Sequence, residues 1–95
     1  MNKKQKTIPL NVKHTIADLR IRSGLSQIEL AKEFGVSKAT IGNWEKDSSR
    51  IDFNSAQKIS KFFRIPIEYI YFGSIKEFRE KLKRAIEWKL NSSKE

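Results

Sequence analysis

The sequence predicts an all-α fold: five short helices followed by one longer amphipathic helix. Three observations predict it. Apolar residues recur at spacings of three and four, with little of the alternation a strand requires. Helix-capping residues precede these runs, and glycines follow them. The chain has 95 residues, 38% hydrophobic and 11% aromatic, enough for one core and too little for a large cleft.

The first helix is expected from Asn11, which can cap it. Val12, Ile16 and Leu19 then lie at i, i+4 and i+7 on one apolar face. Pro9 discourages an earlier start, and Gly24 suits the exit. Ser26 to Glu29 reads Ser-x-x-Glu, a capping box for a second helix that buries Leu30, Ala31 and Phe34. Gly35 ends that helix, and Ser37 caps a third carrying Ile41 and Trp44. A turn as short as Gly35-Val36-Ser37 makes the two helices cross steeply. Asp47-Ser48-Ser49 reads as a loop. Asp52 or Asn54 can cap a fourth helix with Ala56, Ile59 and Phe63 (or Phe62) inward. Pro66 suits the first turn of a fifth, which would bury Ile67, Ile70 and Tyr71 and close at Gly73. Ser74 to Glu77 is another capping box. Beyond it Ile75, Phe78, Leu82, Ala85, Ile86 and Leu90 share an arc of about 140°, with Trp88 outside it.

Charge and composition narrow the chemistry. Twenty Lys and Arg face eleven Asp and Glu, a net charge of +9. Such a balance favours polyanions, nucleic acid before anionic membrane. The charge is uneven. Residues 1–14 carry four lysines and no acid, 15–73 nine bases and seven acids, and 74–95 seven bases and four acids. There is no cysteine and one histidine, His14, so neither a disulfide nor a Cys or His metal set is expected. No cofactor and no catalytic constellation is expected, so the chain does not read as an enzyme. His14 reads as an ordinary polar residue. No signal peptide or membrane span is expected, which makes the cytoplasm the default location.

Residues 25–46 read LSQIELAKEFGVSKATIGNWEK. With Leu19-Arg20 upstream, this frame resembles the helix-turn-helix of the lambdoid phage repressor and Cro family, the Xre type. The matching positions are Gly24 to Gln27, Glu29 to Ala31, Gly35 to Ser37, Thr40-Ile41 and Trp44-Glu45, and the likeness extends over residues 12–73. The resemblance implies a five-helix lambda-repressor-like DNA-binding domain, with the third helix in the major groove and the second across the backbone.

The resemblance also implies roles, residue by residue. Gln27 binds a DNA phosphate and braces the recognition helix. Ser37 caps that helix and can touch phosphate. Lys38, Ala39 and Thr40 face base edges: lysine donates to guanine, while Ala39 or the Thr40 methyl packs on a thymine methyl. The alternative for Lys38 is a plain phosphate ligand. Asn43, one turn on, reads adenine or binds backbone. Gly42 either permits close approach to DNA or is merely tolerated. Lys46 and Arg50 flank the next loop as phosphate ligands or as ordinary surface charge. Arg20 and Glu45 form a structural ion pair. The frame departs from the family at Asp47, where glycine is frequent, and at Asp52, where proline is; both acids weaken the local potential. Trp44, Phe34, Ile41, Ile59 and Phe63 fall on inward faces and read as core.

The domain layout expected is a flexible basic arm over 1–10, the DNA-binding domain over 11–73, the amphipathic helix over 74–91 and a disordered tail over 92–95. The apolar stripe of the last helix needs cover, because isolated helices are marginal in water. It can fold back on the core, pair with a second copy or hold another protein. A homodimer is the first choice, since this family reads two half-sites about 34 Å apart. The expected function is a sequence-specific transcriptional regulator of double-stranded DNA, a repressor or Cro-like protein of bacterial or phage origin. The alternative is a DNA-binding antitoxin that neutralises a toxin through its C-terminal helix.

Overall fold

The structure, a computed structural model, describes residues 8–92, with side chains through Trp88. The expected arm therefore lies outside the described residues as far as residue 7, and the tail from residue 93 on. So does the side chain of Leu90. The elements are a 3-10 turn at Leu10–Val12, then α1 (Ile16–Arg22), α2 (Gln27–Phe34), α3 (Lys38–Lys46) and α4 (Phe53–Phe63). A second 3-10 turn at Ile67–Tyr69 leads to α5 (Ile75–Ser92). The described residues form no strand, only two isolated bridges, so the architecture is all-α.

Side-chain caps start every helix. Thr15 accepts from the Asp18 amide at 3.0 Å, and the Asp18 carboxylate accepts from the Thr15 amide at 3.1 Å. Ser26 and Glu29 repeat this reciprocal box at 3.0 and 2.8 Å. Ser37 accepts from the Thr40 amide, Asp52 from the Ser55 amide, and Ser74 from the Glu77 amide. Three of the exits share one form, while α3 runs out into extended backbone at Asp47. Gly24, Gly35 and Arg64 all hold left-handed backbone after a helix, at φ 76, 67 and 57°. In each case the next amide reaches five residues back, as Val36 does to the Ala31 carbonyl at 3.0 Å.

Two expectations need correction, and one contact explains both. The first helix starts at Ile16, not after Asn11. The fifth helix is only a 3-10 turn. The His14 amide donates to the Tyr69 carbonyl at 2.8 Å, and the Tyr71 amide donates to the His14 carbonyl at 2.8 Å. This parallel bridge holds His14 and Ile70 extended, so neither can sit inside a helix. Val12 is left in the first turn, 42% exposed.

Ile16, Leu19, Leu30, Ala31, Ile41, Ile59 and Ile70 form one buried cluster drawn from α1 to α4 and the segment after the second turn. Phe34, Val36, Trp44 and Phe63 pack around it, half-buried. Phe62 stays on the rim, edge-on to Phe34 with ring centres 5.5 Å apart. Truncating a fully enclosed side chain such as Ile41 to alanine costs about 2–5 kcal/mol. A second junction ties α5 to this core. The Ser48 amide donates to the Gly73 carbonyl, and the Gly73 amide to Ser48 Oγ, both at 3.0 Å. Ser48 is 2% exposed, an anchor inside what reads as a plain loop. From this base α5 packs on α3 and on the Leu10–Val12 turn. Phe78 is buried against Tyr71, with ring centres 4.5 Å apart. Further on, Ala85 is exposed and Ile86 is 58% exposed, so folding back covers only the first half of the stripe.

Candidate nucleic-acid interface

The outward face of α3 is fixed by what lies behind it. Ile41 is fully buried and Trp44 packs on the core, which turns Lys38, Ala39 and Asn43 outward on the opposite side. Ser37 sets where the helix begins. Its Oγ accepts from the Thr40 amide and also lies 3.0 Å from Thr40 Oγ1. The two hydroxyls are thus paired with each other, leaving the Thr40 methyl as that side chain's apolar part.

A polar clamp joins three helices beneath this face. Arg20 of α1 donates from Nε to Glu45 Oε2 at 2.5 Å and from Nη2 to Glu45 Oε1 at 3.1 Å. Its Nη1 donates to the Leu25 carbonyl at 2.9 Å. Gln27, first residue of α2, donates from Nε2 to Glu45 Oε1 at 2.9 Å. The ion pair is bidentate and mostly withdrawn from water, its side chains 15% and 10% exposed. The hydrogen bond to Glu45 holds the Arg20 guanidinium above its ordinary pKa against the opposing cost of burial, and the carboxylate charge adds a lesser push in the same upward direction. The clamp fixes the angle of α3 against α1 and α2.

The expected site residues fall into two groups. Gln27, Lys38, Ala39, Asn43 and Lys46 line one concave surface together with Gly42 and the Arg20–Glu45 pair. A Cβ built on Gly42 would meet nothing within 4 Å, so no packing demands glycine there. Ser37, Thr40 and Arg50 do not line this hollow. Ser37 and Thr40 sit at the start of α3, and Arg50 lies exposed past the Asp47–Ser49 turn. In that turn Asp47 Oδ1 accepts from the Ser49 amide at 2.9 Å. That bonding to Ser49, with a smaller contribution from Arg50, holds the Asp47 carboxyl below its ordinary pKa.

One charged residue of the hollow escaped sequence reasoning, besides the apolar Ala17 and Ile21. Arg79 of α5 also lines it, brought there by the fold of a segment that lies beyond the helix-turn-helix frame. No local pattern could announce it, since its proximity to α3 depends on the Ser48–Gly73 junction. The described residues contain no cluster of three or more His, Cys, Asp or Glu side chains able to hold a metal. No described helix is long and apolar enough to cross a membrane.

A short two-helix unit, clamped from behind and presenting a polar, cationic outer helix, is the arrangement of a helix-turn-helix protein. The family model for the helix-turn-helix matches residues 16–70, more than half of the chain, and the protein belongs to that family, in its Xre-type branch of phage repressors and Cro proteins. Over 71 residues it is 35% identical to the cryptic phage CTXphi transcriptional repressor RstR of Vibrio cholerae. That alignment takes in 75% of this chain and 64% of the repressor, so the chain spans somewhat less than two thirds of that relative.

Proposed function

We propose that the protein is a sequence-specific regulator of transcription that binds double-stranded DNA, acting as a repressor or Cro-like protein in the cytoplasm. The observation that carries this reading is the shared surface of Gln27, Lys38, Ala39 and Asn43 over the Arg20–Glu45 clamp. In the major groove, Lys38 donates to a guanine edge, Asn43 pairs with adenine, and Ala39 meets a thymine methyl. Gln27, Ser37, Lys46 and Arg50 hold phosphates, with the Thr40 methyl beside the bases. Repression follows from occupying a promoter. The relationship to a phage repressor supports the same direction. A toxin-neutralising role has no support among the relatives.

The protein acts on DNA as a homodimer in this reading. An apolar groove formed by Leu10, Leu82, Ala85, Ile86 and Trp88 stands open on the outer half of α5, with Trp88 69% exposed. A second copy supplies an equal face, and such self-complementary contacts are the usual route to two-fold dimers. Replacing Lys38 by alanine tests the reading of bases. Loss of about 1–3 kcal/mol on a selected duplex, with little change on random DNA, is the expected result. An equal loss on both reduces Lys38 to a phosphate ligand.

A further inference from the structure

We infer that α5 is part of the DNA interface, with Arg79 binding a backbone phosphate beside the recognition helix. The inference rests on the DNA-binding reading above and extends it to a helix outside the helix-turn-helix. Arg79 shares a hollow with Gln27, Lys38 and Asn43, so a duplex seated against α3 brings its backbone past this guanidinium. Its place is fixed by packing. Phe78, the residue before it, is buried against Tyr71, and the start of α5 is held by the Ser48–Gly73 pair. Such a rigid base spares the cost of ordering the backbone on binding and leaves only that of ordering the side chain.

Charge bookkeeping points the same way. Within the hollow, Arg20 is matched by Glu45, and Lys38, Lys46 and Arg79 remain unmatched. Among the described residues Arg79 has no ion-pair partner within 4.0 Å. Helix geometry offers it none on its own element either. Its neighbours at three and four positions are Lys76, Leu82, Lys83 and Ile75. Lys76, Arg79 and Lys83 thus make a row of like charges on one face, which disfavours the helix by itself. Glu80, four positions after Lys76 and three before Lys83, offsets part of this row. In the adjoining hollow, though, Lys46, Lys76 and Arg79 outnumber Glu80 and Glu45, and Glu45 is already engaged by Arg20. A polyanion alongside accounts for a row that the helix does not need. Arginine suits a phosphate because its planar fork donates two parallel hydrogen bonds.

The experiment measures duplex affinity against salt concentration for the full chain, Arg79→Ala and Arg84→Ala. Arg84 removes the same charge from the same helix, 140° around the axis from Arg79 at about 100° per residue. The probes are a random-sequence duplex pool and a duplex selected from it. Arg79→Ala should lower the slope of log affinity against log salt by about 0.9 on both probes, one phosphate's worth, and leave their affinity ratio unchanged. Arg84→Ala should leave the slope as it is, and Arg79→Lys should recover most of the loss. An unchanged slope in Arg79→Ala, or an equal drop in both alanine variants, overturns the inference while leaving the function intact. A wild-type chain with no salt-dependent duplex binding overturns both.

Discussion

Glu45 accepts three hydrogen bonds from two helices other than its own, two from Arg20 and one from Gln27. Its removal leaves the Arg20 guanidinium mostly withdrawn from water with one remaining acceptor, the Leu25 carbonyl. Breaking one partner of such a pair costs about 3–5 kcal/mol. Glu45→Ala should therefore show a large loss in urea denaturation, with weaker DNA binding only as a consequence. Unaltered stability with abolished binding would instead make Glu45 a direct DNA contact. At this scale the likeness to a family carried much of what composition could not. Helical spacing places Arg20 and Glu45 on separate elements, and their partnership depends on how α1 crosses α3. The bond from Gln27 to Glu45 has the same origin. Arg79 was not legible at all, because its neighbours in space lie in other helices.

Caps and exits made the elements readable. Ser26, Ser37, Asp52 and Ser74 announce helix starts in the sequence and cap them in the fold. Thr15-x-x-Asp18 carries the same signal, and the apolar spacing of Val12, Ile16 and Leu19 masked it. What decided the start was a backbone bridge from His14 to a segment more than fifty positions away, which no local pattern encodes. Asp52 leads to a pH prediction. Hydrogen bonding to the Ser55 side chain, then to its amide, holds the Asp52 carboxyl below its ordinary pKa. A lowered folded value means the cap stabilises above the unfolded carboxylate range and fades as pH falls through the folded value. Asparagine caps without titrating. Asp52→Asn should melt like the wild type at neutral pH and lose less on acidification, while Asp47 still contributes a loss of the same sign. A variant with the wild type's full acid loss would remove Asp52 from the account. Ser48 yields a second test. Ser48→Ala strips the buried Gly73 amide of its acceptor, a loss of about 1–3 kcal/mol by denaturant titration. No change would mean that the junction below α5 is not held as described.

For the whole molecule, the charge of +9 proves to be a weaker guide than it looks. Residues 15–73 carry only two more bases than acids, and that span holds all of the matched helix-turn-helix. The reading face depends on the placement of a few cations above a neutralised clamp. The flanks hold the remainder, and under the inference drawn for Arg79 the row on α5 brings some of it to the same DNA. The fold class was legible because periodicity, caps and glycine exits agree. How the last helix is covered was not, since an apolar stripe of one helix fits several partners equally well. The central claim is that α3 reads base sequence as one half of a two-fold pair. Selecting bound duplexes from a random pool with the full chain tests it most directly. The account predicts an enriched inverted repeat whose half-sites lie about 34 Å apart, one turn of the double helix. A recovered pool no richer in any motif than the starting one would contradict it.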